Sequence, residues 1–213
     1  MAASVTPLGG HKSTRERIVD AAGSLFAERG FYGASIGALA GGLGVAKASV
    51  MHHFKSKDAL YDEVMARSAA ALHERLRAAQ READDSRERM RRLIRVLYGW
   101  TEARPDFTKL VVRNLLDDTR ESTAARWHFG PLIADLLAAI EQGQREGAVR
   151  AGTPLLVLEL ILGLAFYHLM ARPTQVAILG PEQAAALAVD EAAQVCGLLE
   201  RAVLLEPPAG KRH

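Results

Sequence analysis

The sequence predicts an all-α protein, a compact three-helix N-terminal unit followed by a larger helical body. Three observations lead there. Apolar residues recur at i, i+3, i+4 and i+7 through nearly the whole chain, strand-type alternation is almost absent, and Ser, Asp, Gly and Pro stand where helices should start and stop. With 213 residues, 49% hydrophobic and 24% charged, the chain can bury a substantial core and has the composition of a globular protein rather than a disordered one.

The elements follow in order. Residues 1–13 lack an apolar run long enough for a secretory signal and are expected to form a loose tail. Ile18, Ala21, Ala22, Leu25 and Phe26 then trace one helical face, with Thr14 as its expected cap and Gly30 as its C-terminal stop. Ser35 is placed to cap a short helix burying Ile36, Leu39, Ala40 and Leu43; Gly44 ends it, and a third short helix runs from about Ala46 to Phe54. Ser56 caps a long helix over about 57–82, whose positive end Asp58 complements. After the Asp84-Asp85-Ser86 break, helices are expected over about 87–103, 105–118 and 122–146, with a kink or split at Pro131. Thr153 and Pro154 open an apolar helix to residue 171, which Pro173 should stop. A loop to Gly180 then leads through Pro181 into a last helix ending before Pro207, and 207–213 form a second tail.

Charge is distributed unevenly. The first 60 residues carry seven Lys/Arg against four Asp/Glu, and the remainder twenty against twenty-one, so the basic excess favours a polyanionic partner at the N-terminal end. The single cysteine, Cys196, excludes an intrachain disulfide and suits a reducing, cytoplasmic compartment. The apolar run 153–171 is nearly long enough to span a bilayer. Glu159 within it would cost roughly 2.5–3.5 kcal/mol at the bilayer centre, and no flanking basic cluster offsets that. The expectation is therefore no membrane span.

The chemistry concentrates between Ser35 and Phe54. Short helix, glycine break and short helix over twenty residues have the length and punctuation of a helix-turn-helix. On the second helix Val50 and Phe54 face inward, while Lys47, Met51, Ala48 and His52 face out. A small, cationic, polar helix face fits a DNA major groove, with lysine on phosphate and Ser49 or His52 on phosphate or base edges. Metal binding by His52 and His53 fails on direction, because adjacent helical side chains diverge by about 100° and neither histidine has a ligand four residues away. His53 keeps two readings, a partly buried histidine or a DNA contact.

Residues 14–60, TRERIVDAAGSLFAERGFYGASIGALAGGLGVAKASVMHHFKSKDAL, closely resemble the N-terminal DNA-binding domain of TetR-type (tetracycline-repressor-like) transcriptional regulators. The resemblance lies in A-A-x-x-L-F-A-E-x-G, the spacing to the glycine turn, and K-x-x-x-x-H-H-F-x-S-K-x-A-L. It implies an N-terminal helix-turn-helix domain over 14–60 and a helical ligand-binding and dimerisation domain over 61–206. It further implies a homodimer on a palindromic double-stranded operator and release by a small-molecule effector. Carried over by position, Lys47, Ala48 and Ser49 approach bases or phosphates, Met51 and His52 line the backbone, and Ser35 and Lys57 anchor phosphates. Three positions depart from the family pattern: Met51 stands where an aromatic hydroxyl is usual, and Ala46 and Ala48 where serine and glycine are common.

In the body the resemblance implies roles without naming residues. The apolar helix carries two apolar faces and so needs two partners. Leu156, Leu160, Gly163 and Leu164, with Ala188, Ala192, Val195, Leu199 and Ala202 of the last helix, are the expected dimer interface. Candidate effector contacts are aromatic (Tyr98, Trp100, Phe107, Trp127, Phe166) and polar (Thr101, Asn114, His128, Tyr167, His168). Glu159 is a core acid, a rim residue or a ligand contact. The alternatives are an all-helical enzyme using Glu159, His128 or His168, and a helical adaptor that keeps the fold without specific DNA binding. No phosphate loop, metal pair or nucleophile set favours the enzyme, so no catalytic residue, metal or cofactor is expected.

Overall fold

The computed structural model describes residues 12–116 and 128–206, and among them all regular structure is helical. The helices are α1 (Thr14–Gly33), α2 (Ile36–Leu43), α3 (Lys47–His53), α4 (Lys57–Arg81), α5 (Ser86–Ala103), α6 (Pro105–Leu116), α7 (Gly130–Arg145), α8 (Pro154–Leu179), α9 (Pro181–Ala188) and α10 (Glu191–Val203). The chain divides between Val64 and Met65 into two compact units, with α4 running from the first into the second.

The first unit starts one residue earlier than the sequence suggests. Ser13, not Thr14, caps α1, because Glu16 stands three residues on: Ser13 Oγ accepts the Glu16 N–H at 3.2 Å and Glu16 Oε2 accepts the Ser13 N–H at 2.8 Å. Gly30 breaks the helical path at φ 71°, and one further turn brings the chain to Ala34. Ile18, Ala22, Phe26, Val50, Phe54 and Leu60 form the core of the unit. Tyr61 sets its ring edge-on to Phe26 at 5.0 Å and to Phe31 at 5.3 Å, closing the aromatic side of that core. Between α2 and α3, Gly44 adopts the left-handed conformation (φ 67°, ψ 30°), and the N–H groups of Gly44 and Val45 return to the carbonyls of Gly41 and Ala40.

In the second unit α5 is the central helix. Met90, Leu93, Ile94, Leu97, Tyr98, Trp100 and Thr101 are all buried along it, and α6, α7, α8 and α10 pack around it. Glu200 of α10 takes Arg91 at 3.4 Å and Arg95 at 3.1 Å, fastening α10 to α5. After α7 the chain passes close to its own helix: a Cβ on Gly143 would lie 2.5 Å from Val149 Cγ2, so only glycine fits there. Val149 then pairs with Leu204 in an isolated antiparallel bridge.

Three expectations for this unit are corrected. Pro131 does not kink a helix interior. It lies in the first turn of α7, where its missing N–H leaves no bond unmade, while 122–127 fall outside the described residues. Pro173 does not stop α8, which continues to Leu179: its ring fixes a helix-compatible φ, and the helix, anchored ahead of it by buried Leu158, Ile161 and Ala165, accommodates the loss of one backbone bond. The last helix is two, α9 and α10, separated at Asp190, whose φ of 62° is left-handed.

Alanine should have opposite effects at neighbouring glycines of the helix-turn-helix. At Gly41 and Gly42, inside α2, an added Cβ meets nothing within 4 Å, so Gly→Ala should stabilise by up to about 1 kcal/mol. At Gly44 the positive φ makes the same change cost roughly 1 kcal/mol. Urea denaturation of the single variants checks both signs.

Candidate nucleic-acid interface and ligand cavity

α3 has seven residues and no side-chain cap, since Ala46 at its N-cap position cannot accept a hydrogen bond. It is held by burial instead: Val50 and Phe54 are locked in the core, and the Arg15 guanidinium covers the Phe54 ring at 4.9 Å. That orientation leaves Lys47, Ala48, Met51, His52 and His53 exposed and Ser49 half-buried. His53 is thus on the surface, its ring edge-on to His52 with centroids 5.5 Å apart. Neither Lys47 nor Lys55 has a carboxylate partner among the described residues, so the face keeps its positive charge. Ser35 is exposed and caps α2 by accepting the Ala38 N–H at 3.1 Å. Lys57 differs from the other lysines: its ammonium donates to the Ala34 carbonyl at 3.2 Å and lies 4.4 Å from the Phe31 ring centre, bracing the unit.

The second unit encloses a cavity of about 460 Å³. Its wall draws on α4 through Leu72, α5 through Leu97, Trp100 and Thr101, α6 from Phe107 to Leu115, α7 through Leu132 and Ile133, and α8 from Leu155 to Phe166. Among the described residues Glu159 is the one ionisable side chain in that wall. The guanidiniums of Arg75 and Arg104 lie 5.1 and 5.4 Å from the Trp100 ring centre, holding the indole in place. The volume suits a drug-sized molecule and the lining suits an apolar one.

Two family models match the chain, the bacterial regulatory proteins of the tetR family over residues 18–64 and the tetracyclin repressor-like C-terminal domain over 87–197. The chain belongs to the TetR family. Among curated relatives it is 30% identical over 100 residues to the HTH-type transcriptional activator FasR of Mycolicibacterium smegmatis, covering 47% of this chain and 46% of that one. It is also 30% identical over 94 residues to the HTH-type transcriptional repressor KstR2 of Rhodococcus jostii, covering 44% and 46%. The chain thus spans about half the length of the curated relatives it matches. In fold it resembles the ketosteroid transcriptional regulator KstR2 of Mycobacterium tuberculosis, with a TM-score of 0.69 at 23% identity; the match covers 93% of this chain and 98% of that one.

Within this TetR-family body, the residues singled out from the sequence separate. Thr101 and Phe166 line the cavity, as do Trp100 and Phe107, and Glu159 is an exposed residue at its edge. Tyr98, Asn114 and His128 are not in the wall, Tyr167 is 69% exposed on the opposite side of α8, and Trp127 lies outside the described residues. Most of the lining is leucine, valine, isoleucine and phenylalanine, residue types that carry no site signal in a sequence. On the outward face of α8, Leu156 and Leu160 are 62% and 47% exposed, Gly163 is exposed and Leu164 half-buried. Ala188, Ala192 and Ala202 are exposed as well, but Val195 and Leu199, expected at the interface, retain only 6% and 1% of their surface. The chain's own α5 and α8 cover them, leaving no side-chain surface for a second subunit.

Beside the cavity a polar cluster joins three helices. Arg172 of α8 pairs with Glu102 of α5 and with Glu191 of α10 at 2.7 Å, and His168 Nε2 lies 2.9 Å from Glu191 Oε1. Tyr98 is buried next to this cluster with its hydroxyl unpaired, and burial, reinforced by Glu102 and Glu191, pushes its pKa up to about 12. A raised phenol pKa favours the folded state below the ordinary value near 10 and loses that contribution as pH rises from about 10 towards 12. Tyr98→Phe should therefore be neutral or stabilising by up to about 1 kcal/mol at neutral pH, since it removes an unsatisfied hydroxyl. It should also flatten the fall in stability across that alkaline window, measured by denaturant titration.

Proposed function

We propose that this TetR-family protein is a cytoplasmic, ligand-responsive transcriptional regulator, most simply a repressor that leaves a palindromic operator when a small apolar effector occupies the second-unit cavity. The observation that carries the DNA-binding part is the face of α3: exposed, small and cationic, with Lys47 free of any carboxylate partner among the described residues and Val50 and Phe54 fixing its direction. Ala48, Ser49, Met51, His52 and His53 complete that face, with Lys47 and the exposed Lys55 as the phosphate-neutralising pair and Ser35 at the start of α2 as a further phosphate contact. Lys57 contributes by bracing the aromatic side of the unit, because its ammonium is already engaged with Ala34 and Phe31.

The dimer follows from α8. Leu156, Leu160 and Tyr167 form an outward apolar row that a monomer would leave in water, and a second copy related by two-fold symmetry covers it. Two α3 helices then read half-sites about 34–36 Å apart or a multiple of that spacing. α4, continuous from the DNA-binding unit into the cavity wall at Leu72, is the covalent route by which effector binding reaches the DNA-binding unit. The relatives include an activator and a repressor by name. Repression is the simpler mode, because occupying an operator that overlaps a promoter needs no contact with polymerase.

Fluorescence anisotropy on DNA from upstream of the coding region tests this reading. Affinity should fall steeply with salt, and Lys47→Ala should flatten the log-affinity versus log-salt slope by about one unit. An unchanged slope would mean that Lys47 meets no phosphate. Leu160→Glu should give a folded monomer by analytical ultracentrifugation and weaken operator binding by about a hundredfold or more, through loss of the second half-site contact. A dimeric Leu160→Glu protein would place the interface elsewhere.

A further inference from the structure

The cavity is defined as much by the hydrogen-bonding groups it lacks as by its apolar wall. No Lys, Arg or His side chain lines it among the described residues. Two of its polar members, Thr101 and Thr108, are buried and direct their hydroxyl protons into their own helices: Thr101 Oγ1 donates to the Tyr98 carbonyl at 2.7 Å and Thr108 Oγ1 to the Arg104 carbonyl at 3.2 Å. What each has left for a ligand is an acceptor oxygen or a methyl group. The Trp100 indole N–H is buried without an acceptor among the described residues, and it is the one neutral donor left unpaired on a lining side chain.

The remaining polar group is Glu159. It follows Leu155 and precedes Leu162 and Phe166 on one face of α8, all four lining the cavity. Leu115, Leu155 and Gly163 are exposed lining residues as well, so the cavity opens between the end of α6 and α8, with Glu159 at the opening. Among the described residues Glu159 makes no hydrogen bond or ion pair. Among the described residues the site is therefore an apolar chamber with no cationic side chain and one unpaired carboxylate at its mouth.

We propose that the effector is a lipophile with a hydrogen-bond-donating, preferably cationic, end group such as an amine, and that Glu159 is the specificity-determining residue that selects it against carboxylates and phosphates. The proposal rests on the reading of this cavity as the effector site. An anionic head group would have to sit beside Glu159 with no cation among the described residues to offset it, or be buried against leucine and phenylalanine with at most one indole N–H to solvate it; both are unfavourable. An ammonium group reaches the carboxylate while its apolar tail fills the chamber.

Three probes of equal chain length separate these cases on the full-length protein: decylamine, 1-decanol and decanoate, each displacing the neutral dye Nile red at neutral pH. Decylamine should displace the dye at a concentration about tenfold or more below that needed with decanoate, with decanol between them. Glu159→Gln, at an exposed position, should bring the two charged probes within about twofold of each other and leave decanol unchanged. Decanoate matching or exceeding decylamine on the wild type overturns the charge selectivity, and so does a preference that persists in Glu159→Gln. Nile red that fails to bind, or that none of the three displaces, removes the cavity itself as effector site, an outcome distinct from wrong selectivity.

Discussion

The second unit depends on α8, a helix whose apolar surface runs right round its circumference. Its 26 residues are long enough to cross a membrane, and an 18-residue stretch of them is apolar enough, with a mean hydropathy of 1.9. The chain covers one side of it only: Leu158, Ile161 and Ala165 are buried. Flanking that strip, Leu155, Leu162 and Phe166 wall a cavity that the protein leaves unfilled. Further round, Leu156, Leu160 and Tyr167 face out. One sequence property, apolar character around most of the circumference, thus generates the core strip, the cavity wall and the outward row together. The matched C-terminal family domain includes the whole of this helix, so its apolar run belongs to the helical body of that domain.

The first unit is governed by a smaller constraint. α3 is too short to be stable alone and lacks a cap, so its existence and direction come from Val50 and Phe54 locking into the α1 core. The residues that would meet DNA are the ones excluded from that core. Gly41 and Gly42 leave α2 weaker than its length requires, while Gly44 is needed for the left-handed turn that follows. Met51, 37% exposed in the middle of the outward face, cannot supply the hydroxyl that the family pattern usually has there.

Much of this was legible along the chain. The caps and glycine stops that bound α2, α3, α4 and α5 are local signals, and the structure bears out all of those helices within one or two residues. Misreadings came where a local rule met tertiary packing. Pro173 is a helix breaker by rule, yet α8, anchored by its buried strip ahead of the proline, passes through it to Leu179. Val195 and Leu199 share a helix with small exposed residues and were expected to meet a second subunit, but α5 and α8 had prior claim to them.

The sequence alone established the helical class, the two-part order and the family, because caps, periodicity and the DNA-reading pattern act over neighbouring residues and lie within 47 consecutive positions. It could not establish the cavity. That wall is assembled from Leu72 to Phe166 across five helices, out of apolar side chains indistinguishable in sequence from core. Whether a leucine fills a core, lines a chamber or faces water depends on which helices pack beside it, and that is decided only when α4, α5, α6, α7 and α8 meet. Glu159 shows the difference: three roles were open to it in the sequence, and its position at the mouth of an apolar cavity is a product of that packing.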